Sequence, residues 1–396
     1  MNPIQLAQQL RSILVRYLLT TFDVNRDGQE AELAAALKER LNRPGALVSG
    51  PFLELTPPYR TGRSLRDLCT EGVLTSALMD LPCFRYGEPI PLDAPLFVHQ
   101  ERAIRRLCVD QRGVVISSGT GSGKTEAFLI PILDDLLRDP TPGVRALLIY
   151  PMNALVNDQL DRLRRLLKDT PITFGRYTSE LRQTEREALQ RLRDPLPNEV
   201  ICREEIRSGR KLPQILITNY AMLEYLLLRP QDSPLFQSGQ WRFVVLDEAH
   251  TYAGAKGIEV AMLVRRLKHR LGKQPGDMRC IATSATLTDD DPQAAVSFAR
   301  NLFGEDFIQD DIIAGEIIQE FVPAQVHLNS VDPAVYCDQR LTRLMEDMRE
   351  GGSGTGAKVA QELYALGLIP ERIAKQADHY SHVAAFLYDV LRTTPI

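Results

Sequence analysis

An apolar run, Gly113 to Ser117, leads into Ser118-Gly119-Thr120-Gly121-Ser122-Gly123-Lys124-Thr125, and a stretch of helical spacing, Lys124 to Leu137, follows. Three alternating glycines before a Lys-Thr pair, set between a strand and a helix, specify a tight loop. Its backbone N–H groups can turn inward without a Cβ clash. The helix N-terminus behind it adds partial positive charge, so the loop suits phosphate oxygens. Lys124 is then placed for the β and γ phosphates of a nucleotide and the Thr125 hydroxyl for Mg²⁺. The pattern G-x-x-x-x-G-K-[ST] departs only at its first position, where Ser118 stands, a small substitution the loop tolerates.

From Gly113 onward, Val- and Ile-rich runs alternate with helix-like stretches. Strands are expected at Gly113 to Ser117, Ala146 to Tyr150, Ile215 to Thr218, Phe243 to Asp247 and Cys280 to Ser284. Helices are expected at Lys124 to Leu137, Ala154 to Leu167, Met222 to Leu228 and Ile258 to Leu271. Continuous apolar strands alternating with helices imply a mainly parallel sheet covered on both faces, the doubly wound α/β class. Ligands of such a sheet gather at the carboxyl ends of its strands. The run Phe243-Val-Val-Leu246 delivers Asp247-Glu248-Ala249-His250 to that end. Asp247 is the candidate for holding Mg²⁺ through its water shell, and Glu248 for orienting or deprotonating an attacking water, because phosphoryl transfer separates those two tasks. Lys124, Asp247 and Glu248 are therefore the candidate catalytic residues, and Thr125 and Asp247 the metal pair.

With both motifs in order, the sequence resembles the superfamily 2 helicases over roughly residues 95 to 290. His99-Gln100-Glu-Arg-Ala103-Ile104 looks like the segment ahead of the phosphate loop, Tyr150-Pro151-Met-Asn153-Ala154-Leu155 is similar to motif Ia, Ile217-Thr218-Asn219-Tyr220 to motif Ib, and Thr283-Ser284-Ala285-Thr286 to motif III. The resemblance implies a RecA-like domain with Gln100 and an upstream aromatic, Phe84 or Tyr86, gripping adenine. It implies nucleic-acid backbone contacts at Pro151, Asn153, Thr218 and Asn219, and coupling roles for His250, Ser284 and Thr286. The stretch Asp247 to Lys268 is similar to large bacterial DNA helicases of the mitomycin-repair type and of the DISARM and Druantia phage-defence systems. That likeness favours DNA over RNA and points to genome maintenance or defence. Strand-ending turn residues are the plainer reading of Tyr150-Pro151 and Thr218-Asn219.

The rest of the chain sets the frame. With 47 Lys plus Arg against 51 Asp plus Glu, nothing global announces a nucleic-acid or membrane partner, so any basic face is local. Arg162, Arg164, Arg165 and Lys168, and Arg265, Arg266, Lys268, Arg270 and Lys273, are two such clusters, although charged helical faces are usually only solvated. The six cysteines include no C-x-x-C pair, and no run approaches the ~20 apolar residues of a membrane span, so a reduced, cytoplasmic protein is expected. Residues 1–92 read as a helical accessory region, with helices at Ile4 to Thr20 and Glu30 to Leu41, and Arg43 to Gly62 as a loop. The intervening Asp23-Val-Asn25-Arg-Asp27-Gly28 imitates a calcium loop, but Ala34 stands where a bidentate Glu is needed, so a turn is expected. Residues 93–308 form the expected RecA-like domain and 309–396 a helical region broken at Gly351 to Gly356, with a last helical stretch at His382 to Leu391.

A full motor of this type adds a second RecA-like half with a Q-x-x-G-R-x-x-R arginine-finger motif, and that string does not occur here. The expectation is thus the front part of a longer helicase, or one member of a split motor whose second half is a partner subunit. Alone, it should turn ATP over slowly, since an arginine finger contributes ~10³ to 10⁵ in rate. An ATP-regulated scaffold and an RNA helicase are the competing readings.

Overall fold

The computed structural model describes residues 3–21, 31–43, 46–47, 59–85, 91–119, 121–191, 194–237, 240–285, 292–318, 356–366, 368–369, 371–377 and 386. The Asp23 to Gly28 turn, Tyr86, Thr120, Thr286 and residues 351–355 lie outside them, as does His382 to Leu391 apart from Phe386. The chain divides into two compact units, Met1–Pro58 with Ile318–Ile396, and Tyr59–Ile317.

In the first unit, helical spacing yields α1 (Pro3–Thr21) and α2 (Ala31–Leu41), close to the predicted ranges. Val15 and Leu19 are the buried residues of α1, whereas Leu6, Leu10, Ile13 and Leu14, the expected inner face, are exposed. A separate small core joins Val359, Ala360, Leu363, Ile369, Ile373 and Phe386 of the same unit.

The second unit is built on eight strands: β3 (Val114–Ser117), β4 (Ala146–Tyr150), β5 (Phe174–Tyr177), β6 (Glu199–Val200), β7 (Ile215–Asn219), β8 (Phe243–Leu246), β9 (Arg279–Ser284) and β10 (Ile312–Ala314). An antiparallel ribbon, β1 (Thr61–Ser64) with β2 (Pro95–Phe97), precedes them. The sheet order is β10-β3-β9-β8-β4-β7-β5-β6 and every pairing is parallel.

Successive side chains of a strand point to opposite faces, and here both faces are buried. Val114, Ile116, Leu148, Ile217 and Val245 face one core, and Val115, Leu147, Ile149, Leu216 and Val244 face the other. The first is covered by α3 (Leu65–Thr70), α4 (Pro82–Arg85), α5 (Val98–Cys108), α6 (Lys124–Arg138) and α7 (Asn153–Leu167). At the β6 edge, α8 (Glu185–Leu189) packs Ala188 against Ile201 and Cys202. The second core is covered by α9 (Arg203–Arg207), α10 (Tyr220–Leu228), α11 (Pro234–Gln237), α12 (Gly254–Arg270) and α13 (Pro292–Phe303).

Charge ties the amino ends of three strands together. Fully buried Arg145, just before β4, donates to Asp135 (2.9 Å) and Asp139 (3.1 Å) near the end of α6. Arg242, before β8, and Arg279, opening β9, reach the same Asp135 at 3.1 and 2.6 Å. Each buried charge therefore meets an opposite one, the condition for tolerating it.

The compact unit contains the expected 93–308 segment and adds residues on both sides of it. Leu65, Leu68, Leu78 and Phe84 enter the first core. Where a helical pattern was expected beyond residue 308, Ile312–Ala314 instead forms the edge strand β10 beside β3. Three apolar residues give too short a pattern to distinguish strand from helix. Buried Asp311 fixes that strand, accepting from Arg106 (3.0 Å) and Arg112 (2.7 Å). Among the described residues, Cys69, Cys83, Cys108, Cys202 and Cys280 are free thiols, and no helix is long and apolar enough to cross a membrane.

Candidate active site

The phosphate loop leaves the carboxyl end of β3 and the carboxylates leave that of β8, with β9 between them. That placement makes β9 the connection between the two motifs. Ser118 donates its N–H to the Ser284 carbonyl (3.1 Å), so the loop starts on the β9 terminus. Thr283 donates its hydroxyl to Asp247 and accepts the Glu248 N–H (3.2 Å). Ser284 Oγ lies 3.4 Å from His250 Nδ1, which lies 3.4 Å from Glu248 Oε2. Loop, both carboxylates, His250 and Ser284 thus gather in one cluster of polar contacts around the β9 terminus.

Local conformation fits these positions. Gly121 and Gly123 hold φ of 75° and 76°, the left-handed region where glycine avoids the Cβ penalty. Glu248 adopts φ 50° without being glycine, a strained conformation of the kind concentrated at functional sites. It turns the chain sharply into the single-turn helix Ala249–Thr251.

The loop is braced from behind. Lys124 Nζ donates to the carbonyls of Ser118 (2.7 Å) and Gly119 (3.1 Å), and the Ser118 and Ser122 hydroxyls lie 2.6 Å apart. His99 Nε2 contacts the Ser122 carbonyl at 2.9 Å. Gln100, where adenine recognition was expected, accepts the Phe97 N–H (2.9 Å) and donates to the Gly123 carbonyl (3.0 Å). Its buried carboxamide acts on the loop, not as a free edge for a base. Phe84, one of the two aromatics expected to grip adenine, lies inside the first core.

One residue of the site, Tyr59, escaped the sequence reading, and another, Thr283, was read only as part of the motif III string without a role of its own. Tyr59 accepts the Gly119 N–H at 2.9 Å and packs edge-on to His99 and Phe97. A Cβ on Gly315 would meet its ring at 2.5 Å, which accounts for the glycine. Tyr59 stands 60 residues before its partner, inside a Pro-rich stretch, and no local pattern marks it. Thr283 did carry a signal, a hydroxyl at the ligand end of an apolar strand.

Electrostatics follow from burial. Burial lowers the Lys124 ammonium, opposed by Glu248 and Asp247, and raises the Asp247 carboxyl, opposed by the Thr283 hydrogen bond. Burial also holds the His99 imidazole below its ordinary value, against the Ser122 contact. The Tyr150 and Tyr252 hydroxyls are buried without hydrogen-bond partners among the described residues, and burial together with the Asp247 charge raises both.

Thr125 is half-buried in the first turn of α6. Among the described residues no group of three or more His, Cys, Asp or Glu converges to cage a metal. A single carboxylate with a hydroxyl suits Mg²⁺, which keeps its waters and takes the rest of its shell from phosphate.

At the ends of the neighbouring strands, Asn219 donates to Asn153 at 2.7 Å, linking the β7 and β4 termini, and Thr218 donates to the Tyr177 carbonyl at 2.6 Å. Pro151 follows β4 directly. Pro151, Asn153 and Asn219 therefore occupy one rim, whereas Thr218, where a backbone contact was also expected, is fully buried beneath it with its hydroxyl spent on the Tyr177 carbonyl. The flanking basic clusters are largely consumed by the fold. Arg162 pairs with Glu126, Arg164 with Glu199, and buried Lys268 with Glu305 and the Phe303 carbonyl. After the carboxylates, Lys256 lies over the Tyr220 and Tyr252 rings at 4.8 and 5.2 Å, and a Cβ at Gly257 would meet the Tyr252 carbonyl at 2.5 Å. These contacts account for Tyr252, Lys256 and Gly257 of the Tyr-Ala-Gly-Ala-Lys-Gly string.

A parallel sheet with a phosphate loop and a carboxylate pair at the ends of nearby strands defines a RecA-like nucleotide-binding domain. Residues 97–295, half of the chain, match the DEAD/DEAH box helicase family, and the chain belongs to that family. It is 32% identical to the Druantia protein DruE of Escherichia coli over 71% of this chain and 20% of that protein. It is 30% identical to the uncharacterized ATP-dependent helicase YprA of Bacillus subtilis over 49% of this chain and 23% of the relative. Among solved structures, the DUF1998 helicase MrfA bound to DNA is similar at 23% identity and a TM-score of 0.49, over 73% of this chain and 35% of that one. The chain thus spans about a fifth to a quarter of the curated relatives it matches here.

Proposed function

We propose that this chain supplies the first RecA-like half of an ATP-driven DNA helicase or translocase, acting in genome maintenance or anti-phage defence. The observation that carries the reading is the β9 terminus. Thr283 and Ser284 join the phosphate loop to Asp247, Glu248 and His250, and the Asp247 N–H donates to Ile149 on β4, the strand that leads into Pro151 and Asn153, so the nucleotide side of the domain and the rim of Pro151, Asn153 and Asn219 share neighbouring strand ends.

Bound Mg²⁺ would neutralise phosphate charge, with Thr125 and Asp247 as its protein ligands. Lys124 exchanges its two carbonyl partners for phosphate oxygens, and Glu248 positions the water. Gln100 and Tyr59 hold the loop in register. Membership of the helicase family supports ATP use. The likeness to DruE and to the mitomycin-repair type supports DNA and defence or repair. The second motor half, in the same longer chain or in a partner subunit, supplies the arginine finger, and the protein works in the cytoplasm.

Glu248→Gln tests the chemistry: nucleotide binding is retained and turnover lost, whereas Lys124→Ala weakens both. Equal ATPase rates in wild type and Glu248→Gln would sink the assignment. The measurement is made with single-stranded DNA and with RNA of matched sequence, in the presence of the second motor half. Stimulation by RNA alone makes this an RNA helicase, as the 29% identity to an ATP-dependent RNA helicase of Candida albicans over 34% of this chain would allow. Stimulation by neither, with ATP binding intact, makes it a scaffold.

A further inference from the structure

On the outer flank of the sheet, away from the phosphate loop, a cleft of about 290 Å³ is lined by Arg164, Arg176, Arg182 and Arg191 against only two carboxylates, Glu180 and Glu199. Two of the arginines are committed. Arg164 chelates buried Glu199 through Nε (2.9 Å) and Nη2 (2.7 Å), and Arg176 donates to Glu180 at 3.1 Å and to Asn157. Arg182 and Arg191 form no side-chain hydrogen bond or ion pair among the described residues, although both line the cleft. Arg164 also pairs with Asp161 at 2.7 Å, so three ion pairs hold these two arginines, while the other two guanidiniums have no carboxylate partner among the described residues. Guanidinium forks match the paired oxygens of a phosphate. Leu181 and Ile201, both buried, give the cleft an apolar floor suited to a sugar or base face.

Its position indicates the source of the phosphate. Arg176 on β5 is paired in register with Ile217 on β7, one residue short of Thr218. Asn157, which holds Arg176, lies one turn along α7 from Asn153, and Arg164 lies about 16 Å from Asn153 at ~1.5 Å rise per residue. One polar strip thus runs from the Asn153–Asn219 rim down α7 into the cleft.

We propose that this cleft is a phosphate-binding subsite for a nucleic-acid strand that has passed the rim, with Arg182 and Arg191 as its contacts. The proposal rests on the nucleic-acid reading given above. The subsite extends the footprint of the chain sideways beyond the strand ends, and it grips without reading sequence, because phosphate contacts position and do not specify.

The test compares the 396-residue wild type with the Arg182→Ala/Arg191→Ala double variant, and with Arg191→Glu, for binding of single-stranded DNA of about 6 and about 16 nucleotides across a salt series. The long strand should lose affinity in both variants, and the double variant's slope of log K against log salt should fall by about 0.7 to 1.4, the value for one or two phosphates. The short strand, held at the rim, should bind all three proteins equally. An unchanged slope on the long strand overturns the subsite while leaving the helicase reading intact, and so does an equal loss on both lengths. Failure of wild type to bind either strand removes the nucleic-acid reading, and the subsite with it. An acidic peptide displacing the long strand from wild type but not from the double variant supports the site as an oxyanion fork. Displacement of wild type's long strand by a mononucleotide alone assigns the cleft to free nucleotide and overturns the strand proposal.

Discussion

Replacing Gly123 by alanine should weaken ATP binding far more than replacing Gly119, although both glycines belong to the same loop. Gly123 holds φ 76°, and a Cβ there would sit 2.2 Å from Gln100 Nε2. An L side chain in the left-handed region costs about 1 to 2 kcal/mol. Gln100 must also swing away from the Gly123 carbonyl, giving up a bond worth about 1 kcal/mol net. The free variant relieves this strain by letting the loop relax, so the cost of about 2 to 3 kcal/mol returns when the nucleotide reimposes the loop. That corresponds to a Kd about 30- to 150-fold weaker. At Gly119 φ is not positive, and the Cβ would meet only the Tyr59 hydroxyl, at 3.0 Å. A shift of a few tenths of an ångström absorbs it, and the loss should stay below about threefold. Titration of a fluorescent ATP analogue with Mg²⁺ gives both constants, and thermal melting of each variant checks that the fold is unaffected. Equal losses in the two variants, or a Gly123→Ala protein that melts early but binds normally, would refute the reasoning.

Other outcomes follow from the same geometry. Asp135→Asn removes a carboxylate shared by Arg145, Arg242 and Arg279 and leaves fully buried Arg145 with Asp139 as its remaining carboxylate partner, so urea unfolding should show a loss of about 3 to 5 kcal/mol. Thr283→Val keeps the shape but removes the hydroxyl between Asp247 and the Glu248 N–H; kcat should fall at least about tenfold while the nucleotide Kd changes little, as steady-state and binding measurements would show. His99 is held below the ordinary imidazole value of about 6.5 by burial, so the unfolded chain takes up a proton first. Its contribution is present above that value and is lost as pH falls towards the lowered one, so the urea midpoint should drop below about pH 6.5, less steeply in His99→Gln.

The elements that were legible in the sequence are those whose apolar runs are long enough to show a period. β4, β7, β8 and β9, and the helices between them, fall close to their expected ranges because each is buried on both faces. β5 was missed: Arg176 interrupts its apolar pattern, and Gly175 is needed where Val200 approaches, a Cβ there lying 2.9 Å away. β6 and β10 have two and three residues, too few to register any period. At the site, loop and carboxylates could be read because their chemistry is contiguous in sequence. Tyr59 could not be read, since its partner is a backbone N–H. For Gln100, whether its amide faces a base or a neighbouring carbonyl depends on packing that no motif encodes.

The shortness of the two outer strands has its own consequence. β10 and β6 close the sheet among the described residues, and each exposes only two or three residues of backbone to whatever lies beyond. Long flat edges invite another chain to continue the ladder, and short ones are a recognised defence against it. A second motor half that met this domain could gain little by adding a strand at either margin. Its purchase would have to come from side chains and loops, contacts that can be made and broken within a catalytic cycle without tearing a sheet.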